Sequence, residues 1–172
     1  MLIKLNEDAF REAYEIMDES FPEDEYRPFE GQRALLDKEE YRIYGYYIGA
    51  CLAAFIAVWE FEEIAYIEHF AVSRSYRNQG IGEAMLNELM GLIEKPFVLE
   101  VEPPESELTE RRIGFYKRNG FNYNDYPYIQ PAMWEGRRSI ALKIMSYPQE
   151  LTKAAFENVR NEIYRKVYGV IL

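Results

Sequence analysis

The stretch RSYRNQGIGEAMLNELM, residues 74 to 90, joins an apolar run to an amphipathic segment through two glycines. The run before it, IAYIEHFAV at 64 to 72, is bounded by charged residues, which predicts a buried strand. A helix is expected to begin near Gly80, where its first turn presents unpaired backbone N–H groups and the positive end of the helix dipole. Because Gly80 and Gly82 carry no Cβ, a diphosphate can approach these amides closely. The junction therefore predicts an anion-binding loop.

This loop matches neither of two common nucleotide-binding motifs. It lacks the Lys-Ser/Thr pair of a P-loop, and the segment that begins at Gly80 has Met85 where a Rossmann turn has Gly or Ala. Arg74 and Arg77 place positive charge beside the glycines. The sequence therefore predicts a different kind of nucleotide cradle.

Periodicity and turn signals divide the rest of the chain into alternating elements. The predicted order is a strand at 2–5, a helix capped by Asn6, a helix at 28–37, strands at 41–47, 50–59 and 64–72, the helix from Gly80, a strand at 97–102, a helix capped by Ser106, an extended segment from Phe121 and a strand at 139–145. Beyond these, apolar residues recur every four positions between Leu151 and Val167, which predicts a further helix. We expect that helix to pack on its own domain, with a dimer contact as the alternative.

Three segments in this order resemble one known family. Residues 77 to 82, RNQGIG, resemble the Arg/Gln-x-x-Gly-x-Gly/Ala loop of the GCN5-related N-acetyltransferases (GNAT), which binds the pyrophosphate of acetyl-coenzyme A. LEVE at 99 to 102 and RIGFYKRNGF at 112 to 121 resemble the family's next strand and its Tyr-x-x-x-Gly-Phe segment. The resemblance covers roughly residues 1 to 145. It implies an α/β (α+β) fold with a mixed, mostly antiparallel central sheet flanked by helices, here with an extra C-terminal helix.

The resemblance also implies a division of the chain and a set of cofactor contacts. Residues 1–146 would form the acetyltransferase domain, and 147–172 a C-terminal helical extension packed on the same domain. Acetyl-CoA would be the cosubstrate, without a metal. The implied cofactor-binding residues are Phe70, Ala71 and Val72 through their backbone groups, Arg77, Asn78, Gln79, Gly80, Ile81 and Gly82 at the diphosphate, and Tyr116. One departure is that Thr109 and Arg112 stand where many members have Asn and Ala.

Acetyl transfer to a primary amine requires a proton acceptor, since such amines titrate near ~10. A carboxylate in an apolar surround can take this role. Glu100, between Leu99 and Val101, matches the Glu of a Leu-Glu-Val segment in ribosomal-protein N-terminal acetyltransferases and is the first candidate. Glu68 on the preceding strand is the alternative. Strand alternation places His69, the single histidine, on the opposite face from Glu68.

The departing thiolate requires a proton donor, and a tyrosine can supply it. Tyr116 occupies the Tyr of the Tyr-x-x-x-Gly-Phe segment and is the candidate; the alternative is an aromatic that only packs on the cofactor.

Composition limits the partners. The chain has 172 residues and a net charge of −10, and residues 1 to 30 hold ten acids against three bases, a net −7. This charge disfavours nucleic acid and favours a cationic amine, with a solvated helix face as the alternative explanation. No apolar run reaches the ~20 residues of a membrane span. The N-terminus lacks the features of a signal peptide, so we expect a cytoplasmic protein. One His and one Cys argue against a zinc site.

The resemblance, taken with these observations, implies an acetyl-CoA-dependent N-acetyltransferase that acts on the primary amine of a small, cationic molecule. A homodimer is the alternative use of the C-terminal helix. Two alternatives stay open. One is N-terminal acetylation of a protein or peptide, and the other is a non-catalytic acyl-CoA-binding module.

Overall fold

The computed structural model describes residues 1–171, which form seven strands and five α-helices. In chain order these are β1 (Ile3–Lys4), α1 (Glu7–Ser20), α2 (Phe29–Arg33), β2 (Tyr41–Ile48), β3 (Cys51–Glu60), β4 (Ala65–Val72), α3 (Ile81–Leu92), β5 (Phe97–Val101), α4 (Glu107–Arg118), β6 (Asn122–Gln130), β7 (Ile140–Tyr147) and α5 (Lys153–Lys166). The chain divides between Lys95 and Pro96 into two compact units. No helix of the described residues is long and apolar enough to cross a membrane.

The first unit is built on four antiparallel strands in the order β1-β2-β3-β4. β3 forms its centre, because every side chain from Leu52 to Trp59 is buried. Such a continuous apolar run is typical of a strand that is covered on both faces. Both α1 and α3 pack on β3 and β4.

The helices of the first unit begin and end largely where the sequence predicts. Asn6 caps α1, its side-chain oxygen accepting a hydrogen bond from the Ala9 amide at 3.1 Å. The helix predicted at 28–37 is instead split into the short α2 and a 3₁₀ turn at Ala34–Asp37. Gly31 inside α2 lowers its helix propensity, which is one reason for so short a helix.

A β-bulge interrupts the pairing of β3 with β4. Ala57 pairs with His69 and Val58 with Ile67, so Glu68 is an extra residue opposite the ladder. The prediction that Glu68 and His69 lie on opposite faces is therefore wrong. Both side chains are buried, and His69 Nδ1 lies 3.9 Å from Glu68 Oε2.

The second unit contains three antiparallel strands, in which β7 lies between β5 and β6. α4 packs on β5 and β6, and α5 packs on β6. Ser106 and Thr109 form a capping box at the start of α4. α5 is capped by Thr152 and buries three apolar residues, Phe156, Val159 and Ile163. The tail helix thus belongs to the same compact unit as β5 to β7, while the predicted domain division after residue 146 stays a prediction.

Candidate active site

The glycine loop leads into the start of α3, where the first backbone amides have no partner within the helix. The first intrahelical hydrogen bond runs from the Ala84 amide to the Gly80 carbonyl at 3.0 Å. The amides of Ile81, Gly82 and Glu83 therefore precede the helical ladder, as they do at any helix start. The loop before them is exposed. These amides and the helix dipole suit an anion.

The backbone around this helix start is left-handed. Asn78 has φ of +62° and Gly80 has φ of +76°. A Cβ added at Gly80 would meet no atom within 4 Å, so the space beside the loop is open. Conformation, rather than crowding, is thus what favours glycine at this position. The helix-start amides and the open space at Gly80 fit the diphosphate of a coenzyme A thioester.

Two arginines tie this loop to its neighbours in the first unit. Arg77 donates from Nε to the Val72 carbonyl at 3.0 Å, which links the loop to the end of β4. Arg74 donates from its amide to Glu19 Oε1 and from Nη2 to the Glu19 carbonyl, both at 3.1 Å. Arg74 therefore links the loop to the end of α1.

The strand residues expected to contact pantetheine end β4. Phe70, Ala71 and Val72 pair with Ile56, Phe55 and Ala54 of β3. They directly precede the loop in the chain.

Glu68 lies in a buried, charge-compensated network. Its side chain is 1% exposed, and Oε1 accepts a hydrogen bond from Arg27 Nη1 at 2.7 Å. Oε2 accepts one from Trp59 Nε1 at 2.9 Å. Burial alone would raise the pKa of Glu68, but Arg27, His69 and the two hydrogen bonds outweigh burial and hold the pKa below its ordinary value. Glu68 is therefore a carboxylate in a buried ion pair.

His69 completes this network in its neutral form. Its Nε2 lies 2.8 Å from the Glu25 carbonyl, which can only accept, so Nε2 carries the proton. Its buried Nδ1 has no hydrogen-bond partner among the described residues. Burial lowers the pKa of His69, and the Glu68 charge opposes this only in part. The residue ties the loop around Glu25 to β4.

Glu100 has different surroundings in the second unit. This half-buried side chain accepts a hydrogen bond on Oε1 from the hydroxyl of Tyr128. The hydroxyl of Tyr168, just beyond α5, lies 2.9 Å from Oε1 and 3.0 Å from Oε2. Burial, followed by the Glu100 charge, raises the pKa of Tyr128 well above its ordinary value. Tyr128 is therefore a protonated donor at neutral pH.

Tyr116 is buried in α4, the helix that packs on the strand of Glu100. Its ring lies edge-on to Phe115 and Phe121, with centroids 5.2 and 5.6 Å apart. Burial raises the pKa of Tyr116 to about 12, and Arg112 opposes that rise. The hydroxyl thus keeps its proton until a strong base appears beside it.

The two positions that depart from the family pattern have local partners. Thr109 is part of the capping box with Ser106, and Arg112 pairs with Glu102 at 3.1 Å. The described residues hold no cluster of three or more His, Cys, Asp or Glu that could bind a metal ion.

The residues that sequence reasoning missed are the partners of the two carboxylates. Arg27 lies 41 positions before Glu68, and Tyr168 lies 68 positions after Glu100. The one available signal was the tail itself, an amphipathic helix followed by a tyrosine.

Comparison with known proteins identifies the family. The profile of the Acetyltransferase (GNAT) family matches residues 6–121. A solved structure from Bacteroides thetaiotaomicron, "Putative acetyltransferase from GNAT family", is 31% identical and has a TM-score of 0.91, covering 99% of both chains. The Bacillus subtilis protein named "Putative acetyltransferase YjbC" is 28% identical over 91% of this chain and 85% of its own.

A more distant structure shares the fold alone. The ribosomal-protein-S18-alanine N-acetyltransferase from Escherichia coli is 24% identical, with a TM-score of 0.65 over 88% of this chain and 95% of its own. The expected α/β fold, with mostly antiparallel strands, is thereby confirmed. The chain belongs to the GNAT family of acetyltransferases.

Proposed function

We propose that this acetyltransferase moves an acetyl group from acetyl-CoA directly to the primary amine of a small, cationic molecule. In this reaction the amine nitrogen forms a bond to the acetyl carbon as the carbon–sulfur bond breaks. Glu100 accepts the proton that the amine loses and then releases it to solvent. Tyr116 donates a proton to the departing thiolate and regains one from solvent.

The loop from Arg77 to Gly82 binds the diphosphate in this proposal. Support comes from the amides of Ile81, Gly82 and Glu83, which precede the helical ladder, and from the open space at Gly80. Arg77 is held by the Val72 carbonyl and adds positive charge beside these amides. Backbone groups of Phe70 to Val72 would contact pantetheine and polarise the acetyl carbonyl.

The buried ion pair between Glu68 and Arg27 is the observation on which the choice of base rests. A base must accept a proton near neutral pH, and efficiency is greatest when its pKa is close to that pH. The buried Arg27 guanidinium lowers the pKa of Glu68, so this carboxylate accepts a proton poorly. Glu100 is held by tyrosine hydroxyls and is the better candidate.

The acidic segment from Glu19 to Glu30 supports a cationic acceptor. Glu23 to Glu25 form a short 3₁₀ turn on the loop between α1 and α2, and Glu23 is exposed. Such a segment raises the local concentration of cations. Salt screens this attraction over a distance of ~8 Å at physiological ionic strength.

N-terminal acetylation of a protein or peptide is the second candidate. The segment Leu99 to Val101 favours it, because it matches a motif of ribosomal-protein N-terminal acetyltransferases. The Escherichia coli relative of the same fold is named for that substrate class, although fold alone does not carry function. A non-catalytic acyl-CoA-binding module would bind the cofactor without turnover.

A turnover screen tests these alternatives. Polyamines, aminoglycosides, simple amines and peptides with free N-termini are offered with acetyl-CoA, and release of free coenzyme A is measured. Turnover of the small cationic amines supports the proposal, and turnover confined to peptides replaces it with the second candidate. Calorimetric binding of acetyl-CoA without turnover on any acceptor identifies the module.

Cofactor binding is tested separately at the helix start. Gly82→Asp adds a side chain and a negative charge at the anion site, so acetyl-CoA affinity should fall steeply. Gly91→Asp is the matched control, because it makes the same change at the other end of α3, where an added Cβ meets no atom within 4 Å. Equal affinity of the two folded variants would contradict the assignment.

Acceptor charge is tested on the acidic turn. Replacing Glu23, Asp24 and Glu25 by Gln, Asn and Gln should raise KM for a polyamine and leave acetyl-CoA affinity unchanged. His69 donates to the carbonyl of Glu25 and not to its carboxylate, so the buried contact is kept. A KM that responds neither to salt nor to this change would identify the turn as a solvated face.

A further inference from the structure

We propose that Tyr168 is a positioning residue for Glu100, so that the segment after α5 is a working part of the catalytic site. The inference rests on the proposed function, in which Glu100 is the base. It assigns to the tail a role that the family's loop and strand motifs do not supply.

The geometry at the carboxylate is the first support. The hydroxyl of Tyr168 is nearly equidistant from both oxygens of Glu100, at 2.9 and 3.0 Å, and Tyr128 donates to Oε1. An ionised carboxylate has about four acceptor sites, and two of the donors at these sites are tyrosine hydroxyls. The two tyrosines therefore orient the carboxylate.

The tail is anchored in a way that fixes Tyr168. α5 buries Phe156, Val159 and Ile163. Beyond the helix, Gly169 has φ of +67°, and the Val170 amide donates to the Tyr164 carbonyl at 2.9 Å. The chain thus turns directly after Tyr168.

Aromatic contacts continue from the helix to the carboxylate. The rings of Tyr164 and Tyr168 lie edge-on with centroids 6.4 Å apart, and Tyr164 lies 5.7 Å from Tyr128. The ring of Phe156 lies edge-on to that of Tyr128, with a centroid distance of 6.4 Å. A shift of α5 would therefore change the hydrogen bonding of Glu100.

Three tyrosine hydroxyls are among the groups that face Glu100. They come from Tyr128 on β6 and from Tyr164 and Tyr168 on α5 and its end, while the residue opposite Glu100 on β7 is Ile144. On α4, Arg112 pairs with Glu102. Donors to a carboxylate stabilise its charged form. Removal of one donor should therefore make Glu100 easier to protonate.

The test compares Tyr168→Phe with Tyr164→Phe in the full chain. Both changes remove one hydroxyl and keep the ring, but the Tyr164 hydroxyl donates to the Ile129 carbonyl and not to Glu100. For Tyr168→Phe we expect kcat/KM at neutral pH to fall about tenfold to a hundredfold, since hydrogen bonds to charged groups have that range. The acidic limb of the kcat/KM profile should move to higher pH. In Tyr164→Phe the limb should stay in place.

A measurement without substrate separates this inference from the proposed function. The carboxyl carbon of Glu100 is followed by NMR in ¹³C-glutamate-labelled protein and assigned with Glu100→Gln, and its titration midpoint should rise in Tyr168→Phe alone. An equal midpoint in wild type and Tyr168→Phe would overturn the inference, whatever the turnover screen gives. If wild type turns over no amine and the midpoint still rises, the proposed function fails and the coupling of the tail to Glu100 stands.

Discussion

Glu68 in the first unit and Glu100 in the second are both strand glutamates, and each was a candidate base, yet their surroundings differ. Glu68 forms an ion pair with the buried guanidinium of Arg27 and accepts a hydrogen bond from the indole of Trp59. Glu100 accepts hydrogen bonds from the neutral hydroxyls of Tyr128 and Tyr168. A cation and a hydrogen-bond donor both lower the pKa of a carboxylate, and at Glu68 both act together.

The comparison teaches that burial alone does not identify a base. Glu68 is the more buried of the two, but its ion pair makes it a structural group that ties the loop before α2 to β4. Glu100 is less buried, and two tyrosine hydroxyls orient it. The partner of a carboxylate is therefore a better guide to its role than its exposure.

The largest expected effect is the difference in turnover between Glu100→Gln and Glu68→Gln. Glu100→Gln removes the proposed base and should lower kcat by about 10²- to 10⁴-fold, the range of general base catalysis. Glu68→Gln should leave the acidic limb of the pH profile in place. Steady-state kinetics at several pH values on the best amine of the screen measures both. If Glu68→Gln alone removes the acidic limb, the two assignments must be exchanged.

The next effect separates the two regions by stability. Arg27→Met leaves the buried charge of Glu68 without its partner, which should cost about 3–5 kcal/mol of unfolding free energy. Arg33→Met is the matched control, since Arg33 pairs with Glu30 at the surface and such pairs contribute about 0–1 kcal/mol. Urea denaturation followed by circular dichroism measures both. Similar losses in the two variants would mean that the buried pair is no more important than a surface pair.

The smallest effect concerns pH and the single histidine. Burial lowers the pKa of His69 in the folded protein, so the unfolded chain binds a proton first as the pH falls. The stabilisation is complete above the unfolded pKa of about 6.5 and decreases as the pH falls towards the folded pKa. His69→Gln keeps a donor towards the Glu25 carbonyl and cannot titrate, so its unfolding free energy should depend less on pH between 7 and 5. Parallel pH dependences would exclude this role for His69.

Glu68 affects the unfolding free energy at lower pH than His69 does, so the two contributions can be distinguished. Its folded pKa lies below its ordinary value, so its contribution is present above that value and is lost as the pH falls through the folded pKa. Glu68→Gln should therefore flatten the acid limb of the stability curve, whereas the slope between pH 7 and 5 should not decrease, because loss of the Glu68 charge lowers the pKa of His69 further.

Much of the fold could be predicted from the sequence because it depends on local signals. Asn6 and Ser106 cap helices as their residue types predict, and the stripe Ile81, Met85, Leu89 is buried along α3. The glycine loop could be predicted for the same reason, since a helix start after a strand is a local feature.

The surroundings of the candidate bases could not be predicted, because they depend on contacts between distant segments. Nothing near Glu68 in the sequence indicates Arg27, and nothing near Glu100 indicates Tyr168. The β-bulge at Glu68 also interrupts the two-residue alternation of side chains. That alternation was the basis for predicting that Glu68 and His69 lie on opposite faces of the sheet. A bulge depends on strand register, which a single sequence does not state.

The hydrogen bond from Trp59 to Glu68 provides an optical probe of the first unit. The chain has two tryptophans: Trp59 is 1% exposed, whereas Trp134 is 48% exposed. Iodide should therefore quench the red-shifted emission of Trp134 and leave the blue-shifted emission of Trp59. In a Trp134→Phe protein, the remaining fluorescence would report on the Arg27–Glu68 pair in real time, without a label, as cofactor or amine is added.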